Sequence, residues 1–233
     1  MNVLKGSNIT AYDPEYEFLF YVYGSLTMRD SYLSECGYDL DHPGLCLETG
    51  EGVVIENCKI SQCYCGIRCY KSSDITIMNC EISQNDKIGI FCDYSSCITI
   101  RGNVFVRDGV LLWGYELAHY ASHTIEGNMV NGKPLYYIVN TTGPYEVPSD
   151  AGQVIIVNSA HIRLTGMNLS YTDIGLEIAF SEDIQVKDCM ISQNDNDGIH
   201  CSYSYDINIT DSTISQNNDN GIYCYHYSSH DIS

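Results

Sequence analysis

The chain has 233 residues, 30 of them Asp or Glu against 11 Lys or Arg, giving a formal net charge of −19. Nucleic acid and anionic membrane surfaces are poor partners for it, because both are gripped by clustered basic residues. No stretch approaches the roughly 18–20 apolar residues of a membrane span, so membrane insertion is not expected. Met1 to Lys5 lack the basic and apolar regions of a secretory leader.

In chain order, residues 1–17 are broken by Asp13-Pro14-Glu15 and read as an N-terminal cap or extension. From Phe18 to Ser34 an irregular first coil is expected, with Leu26, Met28 and Leu33 aligned to Ile75, Ile77 and Ile82. From Gly44 the coils become regular, over 44–65, 66–88 and 89–108. A block of 23 residues recurs, opened by Gly66-Ile67-x-Cys69, Gly89-Ile90-x-Cys92, Gly175-Leu176-x-Ile178, Gly198-Ile199-x-Cys201 and Gly221-Ile222-x-Cys224. Each block continues with a Tyr/Ser turn, a β-branched pair such as Ile75/Ile77 or Ile207/Ile209, and an I-S-Q-N stretch. Residues 109–131 read as a degenerate coil built on Val110, Leu112, Ile125 and Met129. Residues 132–151, with three prolines and alternating Leu135, Tyr137 and Val139, read as a strand followed by an excursion. The last coil opens at Gly221 and is incomplete at Ser233, so the sequence reads as a fragment of a longer precursor, with an open coil end suited to end-to-end self-association.

A fixed period of this length means a solenoid. Apolar residues alternate with period two, so each turn holds three short strands rather than helices. The prediction is an all-β, single-domain parallel solenoid of nine or ten coils. Cys69, Cys92, Cys201 and Cys224 share one inward position with Ile178, and Cys58, Cys80 and Cys189 share another with Asn103 and Ser212. Such slots suit buried free thiols. Cys36 and Cys63 both replace the Asn of I-S-Q-N, one coil apart. They are the disulfide candidate, since Cα atoms about 5–6 Å apart can be bridged; the alternative is a shared small-residue slot. The Asn side chains should hydrogen-bond along the stack. The Gly before each Ile follows a turn, which predicts a backbone conformation closed to other residues.

The G-I-x-C/L…S-x-x-I-x-I-x-x-N/C-x-I-S-x-N repeat resembles the right-handed parallel β-helix repeat. The strings I-E-G-N-M-V-N-G-K-P-L-Y-Y-I, S-D-A-G-Q-V-I-I-V-N and N-L-S-Y-T-D-I-G-L-E-I-A-F-S resemble the NosD-like branch of that superfamily, which includes archaeal surface proteins. The resemblance implies a right-handed β-helix, an extracellular or cell-surface location and, through NosD itself, copper-site maturation.

The superfamily also implies polysaccharide lyases and hydrolases, which need carboxylates converging on one outward face. Outward positions of the first strands are Arg68 and Tyr70, Phe91 and Asp93, Glu177 and Ala179, His200 and Ser202, Tyr223 and Tyr225. Carboxylates there are sparse. Asp195 and Asp197 stack on Asn218 and Asn220, with Asp219 beside Asn196; this oxygen-rich turn suits Ca²⁺, or else satisfies its own backbone. Calcium there is the one cofactor candidate. The i,i+4 pairs His119/His123 and His226/His230 have metal-ligand spacing only on a helix, and neither segment reads as one. Tyrosines gather where the first strand turns, and aromatic faces with hydroxyls suit sugar rings. The expected ligand surface is therefore Tyr70, Asp93, His200, Tyr203, Tyr223 and Tyr225. The leading reading is a non-catalytic extracellular or cell-surface β-helix that binds carbohydrate or a surface protein, or serves a structural role. The alternatives are a polysaccharide lyase or hydrolase, and a NosD-like copper-handling module.

Overall fold

Period-two strands separated by turns stack into parallel sheets because each coil alone leaves its flat faces bare. The computed structural model describes residues 2–11 and 18–225. It shows parallel β-solenoid turns of about 23 residues, about nine in all, as the period predicts. The chain forms two compact units, Met1–Met129 and Val130–Ser233.

In the first unit, one sheet stacks Phe20–Val22, Gly44–Leu47, Cys65–Tyr70, Ile88–Asp93 and Val110–Trp113. A second stacks Asn2–Lys5, Leu26–Arg29, Val53–Glu56, Ile75–Met78, Ile98–Arg101 and Thr124–Glu126. Leu26 lines up with Val53 and Ile75, and Met28 with Ile55 and Ile77, as the repeat predicts. Residues 2–9, expected as a cap or extension, pair in register with the next level, Leu4 with Met28 and Ile9 with Leu33. Val110 and Leu112 stack on Ile90 and Cys92, so the degenerate coil is real. It carries a short helix, Ala118–Ala121, that the sequence did not suggest.

In the second unit, one sheet stacks Lys133–Val139, Gln153–Val157, Leu176–Ala179, Ile199–Ser202 and Ile222–Tyr225. The next stacks Thr142–Glu146, Ala160–Thr165, Glu182–Lys187 and Tyr205–Thr210. Residues 132–151 are thus no excursion but a further level. A register shift between Thr142 and Tyr145 accommodates Pro144, which cannot donate to a regular ladder. The inward residues there are Tyr136 and Ile138, opposite Val154 and Ile156, one position off the predicted alternation.

Inward columns of Ile, Leu, Val and Cys form the core; Ile77, Ile82, Ile90, Cys92, Leu176 and Ile178 are fully buried. Each such aliphatic side chain contributes about 1.5–3 kcal/mol. Three polar ladders close the corners. Ser72 and Ser95 accept from Thr49 N and Ser72 N, and Ser159, Ser181 and Ser204 repeat this in the second unit. Asn103 and Asn128 accept from Cys80 N and Asn103 N. The Asn of I-S-Q-N behaves as expected: Asn85 accepts from Cys63 N, Asn194 from Thr172 N and Asn217 from Asn194 N.

The repeat glycines differ from expectation. Gly66, Gly89, Gly175, Gly198 and Gly221 are absent from the left-handed region, and a residue four or five positions earlier takes it instead, at Gln62, Gln84, Tyr171, Gln193 and Gln216. The glycines are required by space: a Cβ on Gly198 would lie 2.5 Å from Asn217 Nδ2 and 2.6 Å from Gly221 O.

The Cys36–Cys63 disulfide is not formed. Both are buried free thiols. Cys36 Sγ donates to Phe18 O at 3.3 Å and Cys63 Sγ to Ser61 O at 3.4 Å. Side chains at equivalent positions of stacked parallel coils run alongside one another rather than toward one another, which is poor bridging geometry. Among the described residues no helix is long and apolar enough to cross a membrane. The incomplete coil end expected to drive self-association lies beyond residue 225, outside the described residues.

Candidate functional site at the aromatic corners

Where each first strand ends, the chain turns through one residue in the left-handed conformation. In the second unit this column is Asn140, Asn158, Phe180 and Tyr203, with φ of 53°, 47°, 50° and 50°. Asn tolerates that conformation; a bulky aromatic rarely adopts it. The two asparagines stack through Asn158 Nδ2 donating to Asn140 Oδ1 at 2.6 Å. The two aromatic rings stack with centroids 4.5 Å apart and planes 12° apart. Tyr203 meets Tyr225 edge-on at 6.5 Å, Tyr225 stacks with Tyr223 at 6.5 Å, and Tyr223 lies 5.1 Å from His200. Four of the predicted residues therefore form one aromatic run. Phe180, its fifth member, was missed, although its place at the Tyr/Ser turn was visible in the repeat.

The other two predicted residues lie in the first unit. Tyr70 and Asp93 are partners on adjacent strands. Arg68 Nε donates to Asp93 Oδ2 at 3.0 Å, and its guanidinium sits 4.8 Å from the Tyr70 ring and 5.7 Å from Phe91. Lys71 Nζ lies 4.6 Å from the same Tyr70 ring. Burial pushes the Asp93 carboxyl above its usual range, and Arg68 opposes that push. Tyr94, again left-handed, contacts Tyr70, Tyr115 and His119, and Trp113 Nε1 donates to its hydroxyl at 3.3 Å.

The outer face beside the second aromatic run holds polar groups that are buried: Glu177, Asp173 and Ser202 are fully covered, and Asp197 and His200 nearly so. Glu177 is expected outward, and it is the strand partner of His200. His200 Nδ1 lies 3.1 Å from Asp197 Oδ2, and its Nε2 lies 3.4 Å from Ser202 Oγ. Carboxylate, imidazole and hydroxyl follow the order of a nucleophilic triad. Ser202, however, has no exposed surface to meet a substrate. In this structure the arrangement satisfies buried polar groups.

At the turn read as a calcium site, Asn218 Nδ2 donates to Asp195 Oδ1 at 3.4 Å, Asn220 Nδ2 donates to Asp197 Oδ1 at 2.8 Å, and Asp219 N donates to Asn196 O at 3.1 Å. Both Asp197 oxygens are thus engaged by protein groups. His119 and His123 do sit at a helix after all, and serve the backbone: His119 Nδ1 accepts from Tyr115 N, and His123 accepts from Ile98 N and donates to His119 O. His226 and His230 lie outside the described residues.

Fold and corners together define a parallel β-helix repeat protein with stacked aromatics at the ends of its first strands. The chain belongs to the right-handed β-helix family: the model described as "Right handed beta helix region" matches residues 2–150. A second model, "Periplasmic copper-binding protein (NosD)", matches residues 139–233. No curated protein matches the chain. Among solved structures, a double mutant of the periplasmic alginate epimerase AlgG is similar at 12% identity and a TM-score of 0.41, over 95% of this chain. The chain spans 65% of that protein's length.

A copper centre needs several soft or imidazole ligands converging on one point. Among the described residues no group of three or more His, Cys, Asp or Glu does so. Cys201 and Cys224 are core-facing strand partners, Cys189 lies in another column, and His200 is engaged by Asp197. The described residues of the NosD-like stretch therefore do not fit a copper centre.

Proposed function

We propose that the protein is a non-catalytic β-helix, working outside the cytoplasm, that binds polysaccharide along its aromatic corners. The observation that carries this reading is the Phe180–Tyr203 stack. Two large rings occupy left-handed positions where the levels before them use asparagine. A bulky residue there costs about 1–3 kcal/mol in backbone strain, which points to a role beyond folding. Stacked, half-buried rings suit the C–H faces of sugars. The burial of Ser202, His200 and Asp197 supports binding without turnover. The periplasmic description of the NosD family supports a location outside the cytoplasm.

Affinity electrophoresis against neutral, amino and acidic polysaccharides tests the reading. At least one class should retard the protein, and Tyr203→Ala should weaken that binding about tenfold, the effect of losing one stacked ring. No retardation by any class would remove the binding reading, and release of sugar products would replace it with an enzymatic one.

A further inference from the structure

The second unit has a hollow of about 280 Å³ beside Phe180, lined also by Thr142, Asn158, Ala160, Glu182 and Tyr205. We infer that this hollow is a subsite for a single hexopyranose ring that carries no carboxylate. The inference rests on the polysaccharide-binding reading above and narrows it.

Three stacked columns build the hollow. Asn158 and Phe180 form one wall, at the left-handed corner. The serine ladder forms the floor. Ser159 Oγ and Ser181 Oγ each donate at 2.8 Å to the carbonyl two residues back, while each also accepts a backbone N–H from the level before it. Those hydroxyls are committed to the fold, so the floor is a shelf rather than a recognition surface. The opposite wall is the column Thr142, Ala160, Glu182 and Tyr205, aligned level by level. Ala160 has the smallest side chain in that column. It lines the hollow with a single methyl between the larger Thr142 and Glu182.

The chemistry of the lining selects the ligand. The Phe180 ring, stacked on one face by Tyr203, lines the hollow and gives apolar surface to the C–H side of a sugar. Across from it stand the Glu182 carboxylate and the Thr142 and Tyr205 hydroxyls, and beside it the Asn158 amide, groups that pair with sugar hydroxyls. The lining contains no Lys, Arg or His. Next to Glu182, Asp183 is engaged by His161 at 2.6 Å. A uronate carboxylate would meet Glu182 with no cation in the lining to offset the repulsion, in a chain of net charge −19. Neutral hexoses and amino sugars meet no such penalty.

Isothermal titration of the full chain with maltotetraose, chitosan tetramer and tetragalacturonate provides the test. The first or second should bind at least tenfold more tightly than the third. Ala160→Phe, which fills the hollow, should weaken that binding at least tenfold. Glu182→Arg, a change at a partly exposed position, should shift preference toward tetragalacturonate by a similar factor and keeps the test open should Ala160→Phe not fold. The subsite is refuted if tetragalacturonate binds best to the natural chain, if none of the three tetramers binds, or if Ala160→Phe and Glu182→Arg leave affinity and preference unchanged. Polysaccharide binding that survives both substitutions but falls in Tyr203→Ala would refute the subsite and leave the broader reading standing.

Discussion

Gly198 and Gln193 show how one residue type takes the place another was expected to fill. The left-handed turn falls on glutamine, while glycine sits where a methyl would collide with the next coil. Gly198→Ala should therefore destabilise by about 1–3 kcal/mol through overpacking. A urea midpoint unchanged from the natural chain would contradict that placement. His123 makes a second residue-scale prediction. Burial lowers its pKa from 6.5 to about 4. The unfolded chain takes up this proton below about pH 6.5, and the folded chain only below about pH 4. Stability should thus be intact above pH 6.5, fall by up to about 3 kcal/mol between pH 6.5 and 4, and level off below. In His123→Gln this part of the slope should vanish. Parallel urea titrations of the two proteins across that range would decide the matter, and identical slopes would refute it.

Strands in this fold are too short to hold themselves, and the ladders at their corners join one level to the next. Asn194 is fully buried. Its Oδ1 accepts from Thr172 N at 3.1 Å and its Nδ2 donates to Leu169 O at 3.2 Å. Asn194→Ala leaves a backbone N–H and a carbonyl without those partners, at about 1–3 kcal/mol for each buried group left unsatisfied. Asn218 is exposed and makes a 3.4 Å contact with Asp195. Asn218→Ala should cost within about 0.5 kcal/mol. Equal losses in the two variants, measured by thermal unfolding, would show that the ladder carries no special weight. The I-S-Q-N motif predicted this ladder. The motif did not predict the helix Ala118–Ala121, a four-residue insertion in a coil whose pattern had already decayed.

Across the whole molecule, the twelve cysteines make the environment of each column measurable. Ten are buried, Cys224 is half-buried and Cys97 is exposed. Burial pushes Cys36 and Cys63 up to about 12 and Cys46 to about 11, so these three thiols do not ionise near neutrality; Cys58, lowered by its hydrogen bond with Cys80, is shielded by burial alone. A thiol reagent at pH 8 should label Cys97 quickly, Cys224 more slowly, and the other ten only after unfolding. Twelve thiols in denaturant without reductant would agree with the free cysteines seen here. Ten would restore a bridge, with Cys36 and Cys63 the first pair to map.

The sequence by itself determined the period, the parallel stack, the inward columns and the asparagine ladder. Each follows from a local pattern repeated at fixed spacing, and stacking only multiplies it. It also placed His200, Tyr203, Tyr223 and Tyr225 at one corner, because residues at the same offset in successive repeats must align. Only the tertiary structure decided that Glu177 is buried beside His200, that Phe180 completes the aromatic run, and that Ala160, Glu182 and Phe180 line one hollow. The difference is physical. Whether a side chain faces in or out is written in its own strand, but what covers it, stacks on it or leaves space beside it depends on residues one coil away.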